Sequence, residues 1–148
     1  MDNIQKFLLE LGRGFAFVGR EYRLVVGDTE QFIDMLFYNI QKHCYVVIEI
    51  KTRTFDPGDM GQLGTYIAAT DGILRADNDN PTIGLLICKT KDNVLAQYAT
   101  SAVNVPVGIS EELIKMKYTV LNDDLSEIDR IKQRIDKMTD KIISNYKE

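Results

Sequence analysis

The feature that most constrains the fold of this chain is the apolar run at residues 46–52, which carries two opposite charges, Glu49 and Lys51, near its end. A run so rich in Val and Ile is typical of a strand buried on both faces of a sheet. Because alternate residues of a strand point to the same face, Glu49 and Lys51 share one face. Burying a charge is costly unless it is paired or bound to a metal. Two interpretations are therefore open: an ion pair at a strand end, with the lysine head reaching water, or a site where the carboxylate holds a cation and the ammonium faces an anionic substrate.

The composition limits the kinds of site that the chain can form. Its 148 residues, 45% of them hydrophobic, suffice for one domain with its own core. The apolar runs are strand-length, so neither a membrane span nor a secretory signal is expected. Cys44 and Cys88 lie far apart in apolar runs and are predicted to be reduced core thiols of a cytoplasmic protein. The single histidine, His43, excludes a histidine-based metal site or a Ser-His triad, so any catalysis must come from carboxylates and lysine.

The charge balance gives a weaker indication. A formal net charge of -4 counts mildly against a nucleic-acid binder. A basic face nevertheless remains compatible with that total, because several basic residues fall in roughly the first third of the chain. They are Arg13, Arg20, Arg23, Lys42, Lys51 and Arg53.

The order of the predicted elements indicates an α/β fold. After a first helix, strands joined by short connections predict an antiparallel meander. The first strand region consists of two extended runs, 15–19 and 22–26, with a tight turn or a bulge at 19–21. Helices then alternate with strands, which indicates a mixed sheet with helices packed on it. The other predicted elements are a helix at 4–11, strands at 32–38 and 46–52, a helix at 60–74, a strand at 82–88, a helix at 93–99 and a strand at 105–109.

The helix at 60–74 is predicted to bury an apolar stripe. Gln62 and Tyr66 are four residues apart and are neighbours on the helix surface. The residues predicted to form the stripe are Leu63, Tyr66, Ile67 and Ile73.

The C-terminal segment differs from the rest of the chain. Between residues 121 and 146, apolar residues recur at alternating spacings of three and four, with charged residues at other positions. This short heptad seam predicts an amphipathic helix that packs on the domain, on a second copy or on another domain of a longer protein. We expect a homodimer. The seam consists of Leu121, Ile128, Ile131, Ile135, Met138 and Ile142.

A second acid, Asp34, stands among apolar residues of the strand at 32–38. Aspartate is a poor strand former and is rarely buried without a partner. If this strand pairs with the one at 46–52, Asp34 and Glu49 meet at one end of the sheet beside Lys51. Two carboxylates and substrate phosphate oxygens suit Mg2+, which can lower the pKa of a bound water and offset phosphate charge, while the lysine orients that water or stabilises developing negative charge. No glycine-rich phosphate loop is present, which argues against an NTPase.

Asp34, followed after a spacer by Glu49-Ile50-Lys51, resembles the motif of the PD-(D/E)XK nuclease superfamily, with Ile33 in the place of its proline. Longer runs at 8–20, 33–38, 48–51 and 81–89 are similar to the C-terminal nuclease domain of the bacterial YhcG-type family. The resemblance covers roughly residues 7–109. It implies an α/β fold with a restriction-endonuclease-like αβββαβ core, here assigned to residues 1–112, with 113–148 as a C-terminal helical extension.

The resemblance also implies an activity and roles for individual residues. The activity is that of an Mg2+-dependent (or Mn2+-dependent) endonuclease on DNA, including branched DNA or recombination intermediates. Asp34 and Glu49 would be metal ligands and Lys51 the catalytic lysine. Glu10, from the first helix, would complete the metal site, and Gln62 with Tyr66 would form an auxiliary pair.

The resemblance leaves an alternative function open and adds one expected partner. Members of the family usually carry a helical N-terminal region before this domain, which this chain is expected to lack, so such a region is an expected partner besides DNA. The alternative is an inactive nuclease-fold module that binds nucleic acid or a protein without cutting. A third, structural interpretation takes the heptad seam as the main feature and the domain as an assembly unit. The complete acid-acid-lysine set, Asp34, Glu49 and Lys51, favours activity.

Overall fold

The computed structural model describes residues 15–110 and, beyond them, Lys137, Ile142 and Ser144. The predicted first helix with Glu10, and all of the C-terminal seam except Ile142, lie outside the described residues. Ile142 is helical and buried, in keeping with its place in the seam. The elements of the main range are β1 (Phe15–Val26), β2 (Thr29–Asn39), β3 (Cys44–Thr54), α1 (Gly58–Ile73), β4 (Ile83–Thr90), α2 (Asn93–Ala102) and β5 (Val107–Ser110).

The described strands form one five-stranded mixed sheet in the order β1-β2-β3-β4-β5. β1, β2 and β3 form the predicted antiparallel meander. A two-residue turn joins β1 to β2, and its Gly27 has a φ of +62°, which glycine adopts at little cost. β3, β4 and β5 are mutually parallel, so α1 and α2 serve as the long connections that parallel strands need. This confirms the predicted α/β fold with a mixed central sheet and helices.

The first strand contains a bulge and no turn. Its register with β2 shifts by one residue between Phe17 and Gly19, and pairing continues on both sides of the shift. One extra residue on one strand of an antiparallel pair is a β-bulge. Glu21, four residues beyond Phe17, has a φ of 48°, so the backbone departs again from extended geometry without ending the strand. The prediction of a bulge at residues 19–21 is therefore closer to the structure than the prediction of a tight turn.

Helix α1 packs on the face of the sheet that carries Val47 and Leu86. Leu63 and Ile67 of α1 are fully buried in this cluster, as predicted. Ile73 was expected to share their stripe, but this expectation is wrong, because Ile73 is 51% exposed. Ile73 is the last residue of α1, and it is the next residue, Leu74, that packs against the cluster, so Ile73 is left on the solvent side.

Both cysteines are buried and form no disulfide, as the sequence predicts for core thiols. The alternate residues of the central strands that face away from Val47 and Leu86 are buried too, which agrees with the double-sided burial expected of residues 46–52. The buried residues on this second face of the sheet include Met35, Phe37, Val46, Ile48, Ile83, Leu85 and Ile87.

Neither α1 nor α2 has the length and apolar character that crossing a bilayer requires.

Gly84 of β4 sets the distance between α1 and the sheet. A Cβ built on Gly84 would overlap the side chain of Ile67 and lie 3.1 Å from Cδ1 of Leu63. We expect Gly84→Ala to lower the free energy of unfolding by about 1–3 kcal/mol, because a packed core resists an added methyl group. Urea unfolding measures this change.

Gly72→Ala provides the matched control for that measurement. Nothing lies within 4 Å of a Cβ built on Gly72 in α1, so alanine should stabilise the helix there by up to about 1 kcal/mol. A Gly84→Ala protein as stable as the wild type would show that this glycine does not fix the spacing between helix and strand.

Candidate active site

Asp34 and Glu49 lie where β2 and β3 stop pairing. The last paired residues of the two strands on this side are Met35 and Ile48, so Asp34 and Glu49 would be the next pair in register. Beyond this point, side-chain oxygens accept the backbone N–H groups in place of backbone carbonyls. The Asp34 N–H donates to Oε1 of Glu49 at 3.0 Å, and the Ile50 N–H donates to Oδ2 of Asp34 at 2.9 Å. Each carboxylate thus satisfies a backbone donor at the point of divergence, and the two acids are held side by side.

Glu49 is a buried acid next to a second acid. The residue is only 2% exposed. Burial, the negative charge of Asp34 and a hydrogen bond between the two carboxyl groups raise the pKa of Glu49 to about 8, although the Asp34 N–H and the charge of Lys51 act in the opposite direction. The protein therefore keeps a carboxylate where its ionised form is poorly stabilised by the described residues alone.

This acid pair has the chemistry of a site for a hard divalent cation. Mg2+ prefers oxygen ligands, commonly one or two carboxylates completed by water and phosphate oxygens. A cation between Asp34 and Glu49 would offset the cost of placing two carboxylates together. Residues 15–110 provide no group of three metal-binding side chains. Glu10, the predicted third acid, lies outside the described residues.

Lys51 follows Glu49 on β3, and α1 holds its side chain. Its Nζ donates to Oε1 of Gln62 at 2.8 Å, and Nε2 of Gln62 donates to the Tyr66 hydroxyl at 3.2 Å. Burial first, and then the negative charges of Glu49 and Asp34, raise the pKa of Tyr66, so this hydroxyl lies within electrostatic reach of the acid pair. Among the described contacts, the ammonium of Lys51 is bonded to Gln62 and not to Glu49. The structure therefore brings together all the predicted site residues that it describes.

A second link between β3 and α1 was not predicted from the sequence. The guanidinium of Arg53 donates to both carboxylate oxygens of Asp59, from Nη1 at 3.1 Å and from Nη2 at 2.6 Å. Asp59 is 5% exposed and also accepts the Asp56 N–H at 3.0 Å. Burial alone would raise the pKa of Asp59, but the bonds from Arg53 and from the Asp56 N–H lower it overall.

Spacing within each element could have revealed this pair. Arg53 lies two residues beyond Lys51 on β3, and Asp59 lies three residues before Gln62 on α1. Residues at these separations share a strand face and a helix face respectively. Once Lys51 and Gln62 are placed together, Arg53 and Asp59 are therefore the next pair that can meet.

Comparison with known proteins identifies the family. Residues 1–127 match the family model described as the YhcG PDDEXK nuclease domain. This chain belongs to the YhcG PDDEXK nuclease domain family. A curated relative, "Putative nuclease YhcG" of Escherichia coli K12, is 33% identical to this YhcG-type domain over 111 residues. The aligned part covers 75% of this chain and 30% of the relative, so the YhcG-type domain spans less than a third of that protein's length.

Solved structures support the fold of the YhcG-type domain. A repair endonuclease from Pyrococcus abyssi superposes with a TM-score of 0.53 and 14% identity over 73% of this chain and 44% of that one. EndoMS, solved in a complex with dsDNA, gives a TM-score of 0.52 and 16% identity over 74% of this chain and 44% of that one. The fold is therefore restriction-endonuclease-like, and the predicted PD-(D/E)XK resemblance is confirmed.

Proposed function

We propose that this YhcG-type domain is an Mg2+-dependent endonuclease that hydrolyses phosphodiester bonds in DNA. The observation that carries the proposal is the arrangement at the divergence of β2 and β3, where the interlocked carboxylates of Asp34 and Glu49 adjoin a lysine positioned by Gln62. Two acids can hold a metal ion that assists phosphodiester hydrolysis, and an oriented ammonium can stabilise the charge that develops on the phosphate. Membership in a nuclease-domain family agrees with this chemistry.

Each residue then has a defined task. Asp34 and Glu49 would hold Mg2+ together with substrate oxygens, and the metal would offset charge on the phosphate and activate water. The ammonium of Lys51 has three N–H donors, of which Gln62 accepts one. No other acceptor among the described residues takes the remaining donors, which would serve the scissile phosphate or the attacking water, where charge develops in the transition state. The Tyr66 hydroxyl accepts from Nε2 of Gln62 and so fixes the orientation of that amide.

DNA is proposed as the substrate because the similar fold of EndoMS was solved with dsDNA. Branched DNA and recombination intermediates belong to the same proposal, since a two-carboxylate site selects the phosphodiester and not the shape of the duplex. Cys44 and Cys88 are buried and not disulfide-bonded, which supports action in a reducing compartment such as the cytoplasm.

Nicking of a supercoiled plasmid tests the proposal. A closed circle has no ends, so its relaxation requires an internal cut. We expect nicking with Mg2+ or Mn2+ and none with EDTA, and we expect Asp34→Asn to lose the activity, because the variant lacks one negative metal ligand. Linear duplexes, four-way junctions, single strands and RNA incubated in parallel would rank the substrates.

Two results would contradict the proposal. Undiminished cutting in EDTA would exclude metal dependence. Binding without cutting under every metal condition would favour the non-cutting module instead.

A further inference from the structure

The guanidinium of Arg53 is only partly used by the protein. It carries five N–H donors. Nη1 donates to Asp59 and to the Thr54 carbonyl, and Nη2 donates to Asp59. The end of the guanidinium is thus occupied by the carboxylate. The Nε–H and the outer N–H of Nη2 have no partner among the described residues, and they point from the same side of the group.

These two donors form a second fork in a preset orientation. Parallel N–H groups of a guanidinium match the paired oxygens of a carboxylate or a phosphate. The Arg53 side chain is 52% exposed although its far end is anchored on the buried Asp59. Much of the conformational entropy that a free arginine loses on binding an anion has therefore already been lost in folding.

Arg53 lies next to the proposed catalytic lysine. The contacts of Lys51 with Gln62 and of Arg53 with Asp59 place both side chains on the α1 side of β3. Two residues of a regular strand span roughly 6–7 Å, which is close to the separation of successive phosphates along one nucleic-acid strand. The register of β3 with β4 shifts between Lys51 and Thr54, so this spacing is approximate here, but both side chains still contact α1. A strand with one phosphate at Lys51 would thus bring a neighbouring phosphate towards Arg53.

We propose that Arg53 binds the backbone phosphate adjacent to the scissile one through its Nε–H and its outer Nη2–H, with Asp59 as the residue that orients it. The proposal rests on the proposed action on nucleic acid. In this proposal Arg53 positions the substrate strand along β3. Asp34, Glu49 and Lys51 carry out the chemical step. A phosphate contact carries no base preference, so this contribution is independent of DNA sequence.

The salt dependence of DNA binding tests the proposal. Affinity for a short fluorescein-labelled duplex is measured by fluorescence anisotropy from about 50 to 200 mM salt, with Ca2+ replacing Mg2+ so that binding is observed without cleavage. Loss of one phosphate contact lowers the slope of log K against log salt by about 1. We expect this reduction, with weaker binding, in Arg53→Ala.

A double variant separates the phosphate contact from stability and from net charge. Arg53→Ala/Asp59→Ala removes both partners, so no buried carboxylate is left unpaired and the net charge stays that of the wild type. We expect it to lose about 1 from the slope as well. Arg75→Ala removes one positive charge far along the chain, after α1, and should keep the wild-type slope. Thermal melting of each protein verifies folding.

The outcomes distinguish this proposal from the proposed function. A wild-type slope in the double variant overturns the role of Arg53, even if the enzyme nicks plasmid normally. A reduced slope in both Arg53 variants supports that role, even if no metal ion yields cleavage. Equal reduction by Arg75→Ala would attribute the effect to overall charge, and absence of DNA binding by the wild type would overturn the proposal outright.

Discussion

Lys51→Ala is expected to cut plasmid DNA about 10²–10³-fold more slowly than the wild type, with its melting temperature and its DNA affinity little changed. The ammonium is bonded to Gln62, and in the proposed mechanism it stabilises charge that develops during reaction, so its loss should fall mainly on kcat and not on substrate binding. Single-turnover nicking with Mg2+, together with thermal melting of the same preparation, measures both quantities. Mg2+ should still bind, because Asp34 and Glu49 remain.

Lys89→Ala is the matched control for this variant. Lys89 is an exposed lysine near the end of β4, so its replacement removes the same charge from the neighbouring strand without touching Gln62. It should cleave at close to the wild-type rate. A Lys51→Ala protein that melts much earlier yet keeps full activity per folded molecule would assign Lys51 to stability and not to catalysis.

Glu49→Gln is expected to act in opposite directions on stability and on activity. Without metal, the wild-type folded state holds a carboxyl whose pKa is raised to about 8, from the ordinary value of 4.5. A raised pKa means that the folded state binds this proton more tightly than the unfolded state does, so stability falls as the pH rises from about 4.5 towards 8. Glutamine avoids that loss and keeps the oxygen that accepts the Asp34 N–H. The variant should therefore be more stable by roughly 1–3 kcal/mol near neutral pH.

Metal should reverse the order of the two proteins in this comparison. Mg2+ raises the melting temperature of any protein that binds it only when folded, so the wild type should gain stability on addition of Mg2+ while Glu49→Gln gains little. Cleavage by the variant should fall at least about 10²-fold, because a neutral amide is a weaker ligand than a carboxylate. Melting curves at acidic and mildly alkaline pH, each with and without Mg2+, give four melting temperatures for each protein. A variant that is less stable than the wild type at alkaline pH without metal would contradict this account of Glu49.

The central strands could be predicted from sequence because their pattern is local. Alternation places Glu49 and Lys51 on one face, and a short turn brings Asp34 beside Glu49 whatever the rest of the chain does. The form of the bulge in β1 and the exposure of Ile73 depended on tertiary structure, since a bulge is defined only by its partner strand and a helix stripe only by the sheet beneath it.

The Arg53–Asp59 pair was missed for a similar reason. Asp59 in isolation is an ordinary acid in the first turn of a helix, where it favours the helix dipole. Its partner becomes evident only once Gln62 of α1 is placed beside Lys51 of β3. The proposed roles of the site residues can therefore be inferred from their types and their spacing within one element. Their mutual orientation depends on how α1 crosses β3.

Where β2 and β3 diverge, carboxylates accept backbone N–H groups in place of carbonyls. This gives the protein two natural spectroscopic reporters. The amides of Asp34 and Ile50 donate to the oxygens of Glu49 and Asp34 and not to carbonyl groups. Their chemical shifts and solvent-exchange rates consequently depend on the charge of those oxygens and on anything bound to them. In a nitrogen–proton correlation spectrum, these two signals register the state of the acid pair directly from the backbone, without a label introduced into the site.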